Sequence, residues 1–160
     1  EITDFIQQSG IVTAMVGLLN APKGTKLEKR LIEEGRMLND FTGNNTDFTI
    51  NFIPRMDSKI LSDGYKSILK TIYSPNFFYE RVMRFMKDFE PKKKKVFHLN
   101  PNYILALFRS IFKLGMIGEE RIYYWKLFLW TLFRKPQLFS LAILFAIYGF
   151  HFKKISNGVC

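Results

Sequence analysis

Cysteine is almost missing from this chain: one residue, Cys160, stands at its last position. That excludes an internal disulfide and any metal or cluster site built from several thiolates of this chain. It also fits a reducing, cytoplasmic setting. Histidine is scarce too. His98 and His151 are far apart in sequence, with neither cysteines nor paired carboxylates beside them, so no metal site is read from them. Gly-rich phosphate loops are lacking, as are a Ser/His/Asp set in recognisable context and a close carboxylate pair in an apolar setting. The residues therefore offer no catalytic constellation.

Acidic residues are short in one half only. Residues 1–90 carry 12 Lys/Arg against 12 Asp/Glu, whereas residues 91–160 carry 12 Lys/Arg against Glu119 and Glu120 alone. The net charge of +10 thus sits wholly in the second half. Such asymmetry points to an anionic partner for that half: lipid, nucleic acid or a negatively charged neighbouring domain. Nucleic acid is the weakest of the three, because Gly-rich loops and aromatics on a sheet are both missing. What is abundant is apolar. The hydrophobic share is 48%, with 17 Phe and seven Tyr, which excludes a disordered chain and suffices for one core in 160 residues.

The organising stretch is residues 11–35. Residues 11–19 are almost unbroken apolar sequence and read as a strand covered on both faces. Asn20, Ala21, Pro22, Lys23 and Gly24 are turn chemistry. Thr25 and Glu28 fit a capping box, Leu27 and Leu31 share a helix face, and Gly35 suits the left-handed position past its end. Residues 3–9 read as a helix tail stopped by Gly10. A lone strand needs hydrogen-bonding neighbours. The best candidate is residues 48–53, FTINFI, where apolar and polar residues alternate. The chain therefore reads as a fragment of a larger barrel or sheet. Asn20 carries two readings, a turn former or a polar contact to substrate or cofactor.

The rest reads as helical. After a long loop at 39–57, rich in Asn, Asp, Thr and Gly, a helix begins at Asp57 or Ser58. Its stripe is Ile60, Leu61, Tyr65, Ile68, Leu69 and Ile72. Ser74 and Pro75 start the next helix, whose stripe is Phe78, Val82, Phe85, Met86 and Phe89. Tyr79, Glu80 and Arg81 fall outside that stripe and read as solvated. Lys92, Lys93, Lys94 and Lys95 form a basic linker. Asn100 and Pro101 open a helix ended by Gly115 and Gly118. Glu119 and Glu120 open another, closed by Arg134, Lys135 and Pro136. Residues 136–152 form a last helix without a charged residue, followed by Lys153 and Lys154. At ~1.5 Å per residue it is about 26 Å long, short of the ~30 Å hydrocarbon core, so three placements stay open: buried in protein, in the membrane surface, or spanning. The expected fold is mainly α (α+β), with about six helices and one or two short strands at the N-terminal end.

Pro22, Gly24 and Thr25 followed by LEKRLIEEGRM resemble the close of the catalytic barrel in radical SAM enzymes. NFIPRMD at 51–57, Gly64-Tyr65-Lys66, TIYSP at 71–75 and Tyr79-Glu80-Arg81 resemble the C-terminal domain of cobalamin-binding radical SAM proteins. The likeness is closest over residues 1–90. It implies a division into 1–38, the end of the barrel; 39–57, a long loop; 58–90, a helical pair; and 91–160, a basic, aromatic-rich helical region. It implies a parent enzyme with a 4Fe-4S cluster, S-adenosylmethionine and cobalamin, which generates a 5′-deoxyadenosyl radical and, in several members, transfers methyl groups. One cysteine cannot supply the three thiolates of that cluster, so the fragment itself carries no catalysis, no catalytic residue and no metal ligand. Its implied role is to complete the barrel and shape substrate access, with Asn20, Pro22, Gly24 and Thr25 in a loop near substrate or cofactor. The implied partners are the preceding catalytic and cobalamin-binding domains of the same polypeptide. Lys92 to Lys95, Lys153 and Lys154 are candidate contacts to an anionic membrane surface or lipid substrate at the inner face of the membrane. The alternative is a helical protein-interaction or peripheral membrane-association module. The enzyme reading predicts a Cys-x-x-x-Cys-x-x-Cys segment encoded upstream of Glu1; sequencing that region and finding none removes it.

Overall fold

The computed structural model describes residues 2–38, 50–91 and 101–159. The expectations for Lys92 to Lys95, for Asn100 and for most of the 39–57 loop lie outside these residues. The fold is mainly α, as expected. It contains α1 (Ile2–Ser9), α2 (Lys26–Glu33), α3 (Ser58–Ile72), α4 (Pro75–Asp88), α5 (Pro101–Ser110), a π-helical segment (Ile111–Ile117), α6 (Arg121–Arg134), a 3₁₀ turn (Pro136–Leu138) and α7 (Phe139–Val159). The chain forms two compact units, one of residues 1–14 and 70–160, the other of residues 15–69.

In the larger unit α4 packs on α1, α6 and α7, and α5 packs on the π segment and α7. Ser74 stands at the N-cap and Pro75 at the first position of α4 as expected, but the Ser74 hydroxyl donates to Thr71 O at 2.8 Å instead of capping the helix. Phe78, Val82 and Met86 bury its stripe. Aromatic pairs fasten the helices to one another. Phe85 meets Phe145 edge-on at 5.5 Å, Phe128 meets Phe139 at 4.9 Å, and Tyr79 stacks on Tyr123 at 6.1 Å. Tyr79 and Arg81 lie in the core at 4% and 1% exposure, which corrects the solvated reading. The reason is that α4 is covered on more than one side, so residues beside its main stripe are buried as well.

The last helix is longer than its apolar run. α7 holds 21 residues and continues past Lys153 and Lys154, a length of about 32 Å. Lys153 does not stop it because its ammonium is taken by carboxylates of this unit, Glu119 at 2.8 Å and Glu120 at 3.1 Å. One face of α7 is buried through Ala142, Ile143, Ala146, Gly149 and Ser156. These are mostly small, and they let neighbours come close. The other face leaves Leu144, Tyr148 and Ile155 exposed. By length and composition Pro136–Gly158 is apolar enough to cross a membrane.

In the smaller unit Thr25 Oγ1 caps α2 by accepting from Glu28 N at 3.2 Å, Leu31 is buried, and Gly35 sits at φ +64°. Glu28 reaches back to the amide of Gly24, one residue earlier than a capping box places it. Asp57 Oδ1 accepts from Lys59 N and Ile60 N and starts α3. Tyr65 and Leu69 are buried, whereas Ile60 is 64% exposed.

The expected strand at 11–19 is not formed: no strand occurs among the described residues. Residues 50–53 do not pair with it either. Phe52 instead bridges Met37 in antiparallel fashion, with Leu38 N donating to Asn51 O and Ile53 N to Arg36 O, both at 2.8 Å. The physical reason is local: the turn after α2 delivers residues 36–38 beside 51–53, and both acceptors are consumed there.

Gly149 is the tightest point of the larger unit. A Cβ at this position would overlap the Phe78 ring. Gly149→Ala is expected to lower stability by about 1–3 kcal/mol in urea denaturation. Gly158→Ala, in the same helix with open space around it, is expected to be neutral or stabilising by up to ~1 kcal/mol.

Candidate functional site

The candidate site is the apolar segment that follows α1 and the groups that hold it. In the larger unit its anchor is Arg81, on α4. The guanidinium donates from Nε to Ile11 O at 3.1 Å, and from Nη2 to Ile72 O at 2.6 Å and Val12 O at 3.5 Å. Nη1 donates to Gln7 Oε1 at 3.1 Å. The carbon of the guanidinium lies 5.7 Å from the Phe78 ring centroid. Burial lowers the Arg81 pKa, yet guanidinium stays charged at any ordinary pH. Tyr73 adds a hydrogen bond to Ala14 O at 2.7 Å, and burial raises its phenol pKa. Arg84 takes the free carbonyls of Gln7 and Gln8 at the end of α1. Side chains thus stand where neighbouring strands would supply backbone donors.

The smaller unit repeats the device. Tyr65 Oη donates to Val16 O at 3.0 Å. Exposure alternates along the segment: in this unit Val16 and Leu18 are partly covered, while Met15 and Leu19 are 87% and 67% exposed. In the larger unit Val12 is buried and Ile11 is 46% exposed. A period of two is the signature of extended chain with one face covered. Among the described residues the N–H groups of residues 12–19 have no hydrogen-bond partner.

The turn after the segment is held by two asparagines. Asn51, 1% exposed, accepts from Ala21 N at 2.9 Å and donates to Ala21 O at 2.8 Å. Asn20 Oδ1 accepts from Asn51 N at 3.0 Å. Thr25 Oγ1 donates to Pro22 O at 2.7 Å, and Gly24 has φ +82°. The structure therefore brings Asn20, Pro22, Gly24 and Thr25 into one turn, and their polar groups hold that turn. Asn51 is the residue that sequence reasoning missed. Its partner lies 30 residues away, and a single buried Asn leaves no periodic signal.

Of the six candidate surface lysines two are described: Lys153 is held by Glu119 and Glu120, while Lys154 is exposed. Burial pulls the Lys153 pKa down, but the bonds to both carboxylates outweigh it and hold the value up. Lys153 correspondingly holds Glu119 below the usual carboxylate range. Tyr79, packed near Glu120 and Tyr124, has its phenol pushed well above the usual range, first by burial. No group of three His, Cys, Asp or Glu is placed to hold a metal among the described residues.

From α2 onward the chain matches a known domain family; α1 and the apolar segment precede the matched residues. Residues 25–160 match the family described as Domain of unknown function (DUF4070), and the chain is a member of that family. It is also 30% identical over 155 residues to the uncharacterized methyltransferase sll1242 of Synechocystis sp.. That alignment covers 94% of this chain and 29% of the relative, so the chain spans less than a third of that protein's length. No solved structure matches.

Arg81→Met removes the donors to Ile11, Val12 and Ile72. A buried carbonyl left unpaired costs ~1–3 kcal/mol. The substitution is expected to destabilise by about 2–4 kcal/mol in denaturant titration and to open residues 10–14 to proteolysis. Arg81→Lys is expected to recover only part, since one ammonium cannot reach all four acceptors.

Proposed function

We propose that this chain is the C-terminal accessory domain of a larger methyltransferase-type enzyme of the cobalamin-dependent radical SAM class. It would sit in the cytoplasm with the catalytic and cobalamin-binding parts on the same polypeptide. One observation carries the reading. Among the described residues the N–H groups of residues 12–19 have no partner and Met15 and Leu19 are exposed, while Val12 O accepts from Arg81, Ala14 O from Tyr73 and, in the smaller unit, Val16 O from Tyr65. Such a segment is an edge prepared for another strand. The relative's designation as a methyltransferase and its much greater length support a parent enzyme that would supply that strand.

The role is to close and support, not to react. The 4Fe-4S cluster, S-adenosylmethionine and cobalamin would generate the radical and carry the methyl group within the remainder of the parent. Cys160 alone cannot hold the cluster, so no step is assigned to this chain. Its own contribution is mechanical: Asn51 fixes the turn at Asn20 and Ala21, which sets where the loop after the segment points.

Amide hydrogen exchange tests this. Residues 12–19 are expected to exchange fast in the isolated chain and to gain strong, alternating protection in the full-length parent. Equally fast exchange in both would overturn the reading.

A further inference from the structure

The second half of the molecule holds a site that the accessory role does not explain. Between α5, the π segment and α7 lies an open groove of about 440 Å³. Leu105, Ala106, Leu114, Ile147 and Phe150 supply its apolar walls. Ligand pockets of ~300–1,000 Å³ with apolar walls and a few polar groups are the usual small-molecule sites. Here the polar groups are Arg109, Ser110 and Lys113, and no acidic residue lines the groove. Ser110 Oγ is already engaged by Leu107 O and the Tyr124 hydroxyl, which leaves the two cations. Arg109 makes no ion pair among the described residues, and Lys113 holds its ammonium 5.5 Å from the Phe150 ring centroid, at the groove wall.

The surroundings strengthen the charge. Neither α5 nor the π segment, residues 101–117, contains an Asp or Glu. The one cationic group nearby that meets carboxylates, Lys153, has its own pair in Glu119 and Glu120. The π segment matters for the shape. Widened turns are frequent at functional positions, and this one carries Lys113 and Leu114 to the groove. Gly115 permits the fit on the far side: its carbonyl accepts from Trp125 Nε1 at 3.0 Å, and a Cβ there would press on Trp125 and Tyr124 at 3.2 Å. Apolar walls and two cations lining one groove suit a molecule that is oily at one end and anionic at the other.

We propose that this groove binds the hydrocarbon chain of an amphipathic anion, with its phosphate or carboxylate head on Arg109 and Lys113. The proposal does not rest on the enzyme reading. A failure here leaves the edge at 12–19 untouched, and the exchange experiment on that edge leaves the groove untouched.

The test uses the purified chain with dodecyl phosphate below its micelle concentration, dodecyltrimethylammonium as the charge-inverted probe, and vesicles of phosphatidylcholine with or without phosphatidylglycerol. Calorimetry is expected to show one dodecyl phosphate per chain and little dodecyltrimethylammonium. Arg109→Ala and Lys113→Ala are each expected to weaken binding about tenfold. Ala106→Trp fills the groove and is expected to abolish binding with helicity retained. If that variant does not fold, Leu105→Glu, at a half-exposed wall residue, is expected to do the same by charge. Binding of monomeric dodecyl phosphate identifies a soluble amphiphile as the source; binding to phosphatidylglycerol vesicles alone, with the same dependence on Arg109 and Lys113, identifies a bilayer lipid. Equal binding of both dodecyl probes, wild-type binding by a folded Ala106→Trp or Leu105→Glu variant, or no binding to any probe would overturn the proposal.

Discussion

The larger unit depends on a charge buried among carbonyls. Arg81 is 1% exposed and makes no ion pair among the described residues; its donors go to Ile11, Val12, Ile72 and Gln7. Burying a cation without water is costly unless its donors are filled. Backbone carbonyls fill them here, and the guanidinium in return satisfies oxygens that a sheet would otherwise take. The two needs offset each other only in one arrangement: α1 ended at Gly10, α3 ended at Ile72, and α4 placed so that residue 81 faces both. A fan of donors at fixed angles makes that arrangement specific, which a lysine would not do.

Around this anchor the helices are held by two different means. α4 and α6 meet through rings, Tyr79 on Tyr123, whereas α7 approaches α4 through the absence of a side chain at Gly149. Small residues allow close helix contact and large ones on the partner fill the space, so Phe78 is buried by a glycine. The same logic acts at Gly115, where the rings of Tyr124 and Trp125 close on the π segment. Lys113 and Leu114 of the same segment line the groove that Arg109 and Phe150 also line.

The two candidate surfaces of the protein differ in kind. The segment at 12–19 offers backbone amides and alternating apolar side chains, which suit another strand. The groove on α5 and α7 offers an apolar trench with cations at its edge, which suits an amphiphile. The family match begins at residue 25, after the first surface, and the chain spans less than a third of the length of the relative it matches.

Local chemistry determined the helices. Pro75 behind Ser74, Thr25 before Glu28, Asp57 before α3, and the glycines at 10 and 35 each act within one turn of themselves, so the order of residues was enough. Charge asymmetry between the halves was equally plain. Tertiary structure alone decided which groups meet. A buried Arg81 reaching Ile11, an Asn51 clamping Ala21, and a Lys153 closing on Glu119 join positions 70, 30 and 34 residues apart. The apolar run at 11–19 shows the boundary most clearly. Its composition reads as strand, but a strand is a relation between chains rather than a property of one. Without a backbone neighbour among the described residues, its carbonyls go to side chains and its amides wait.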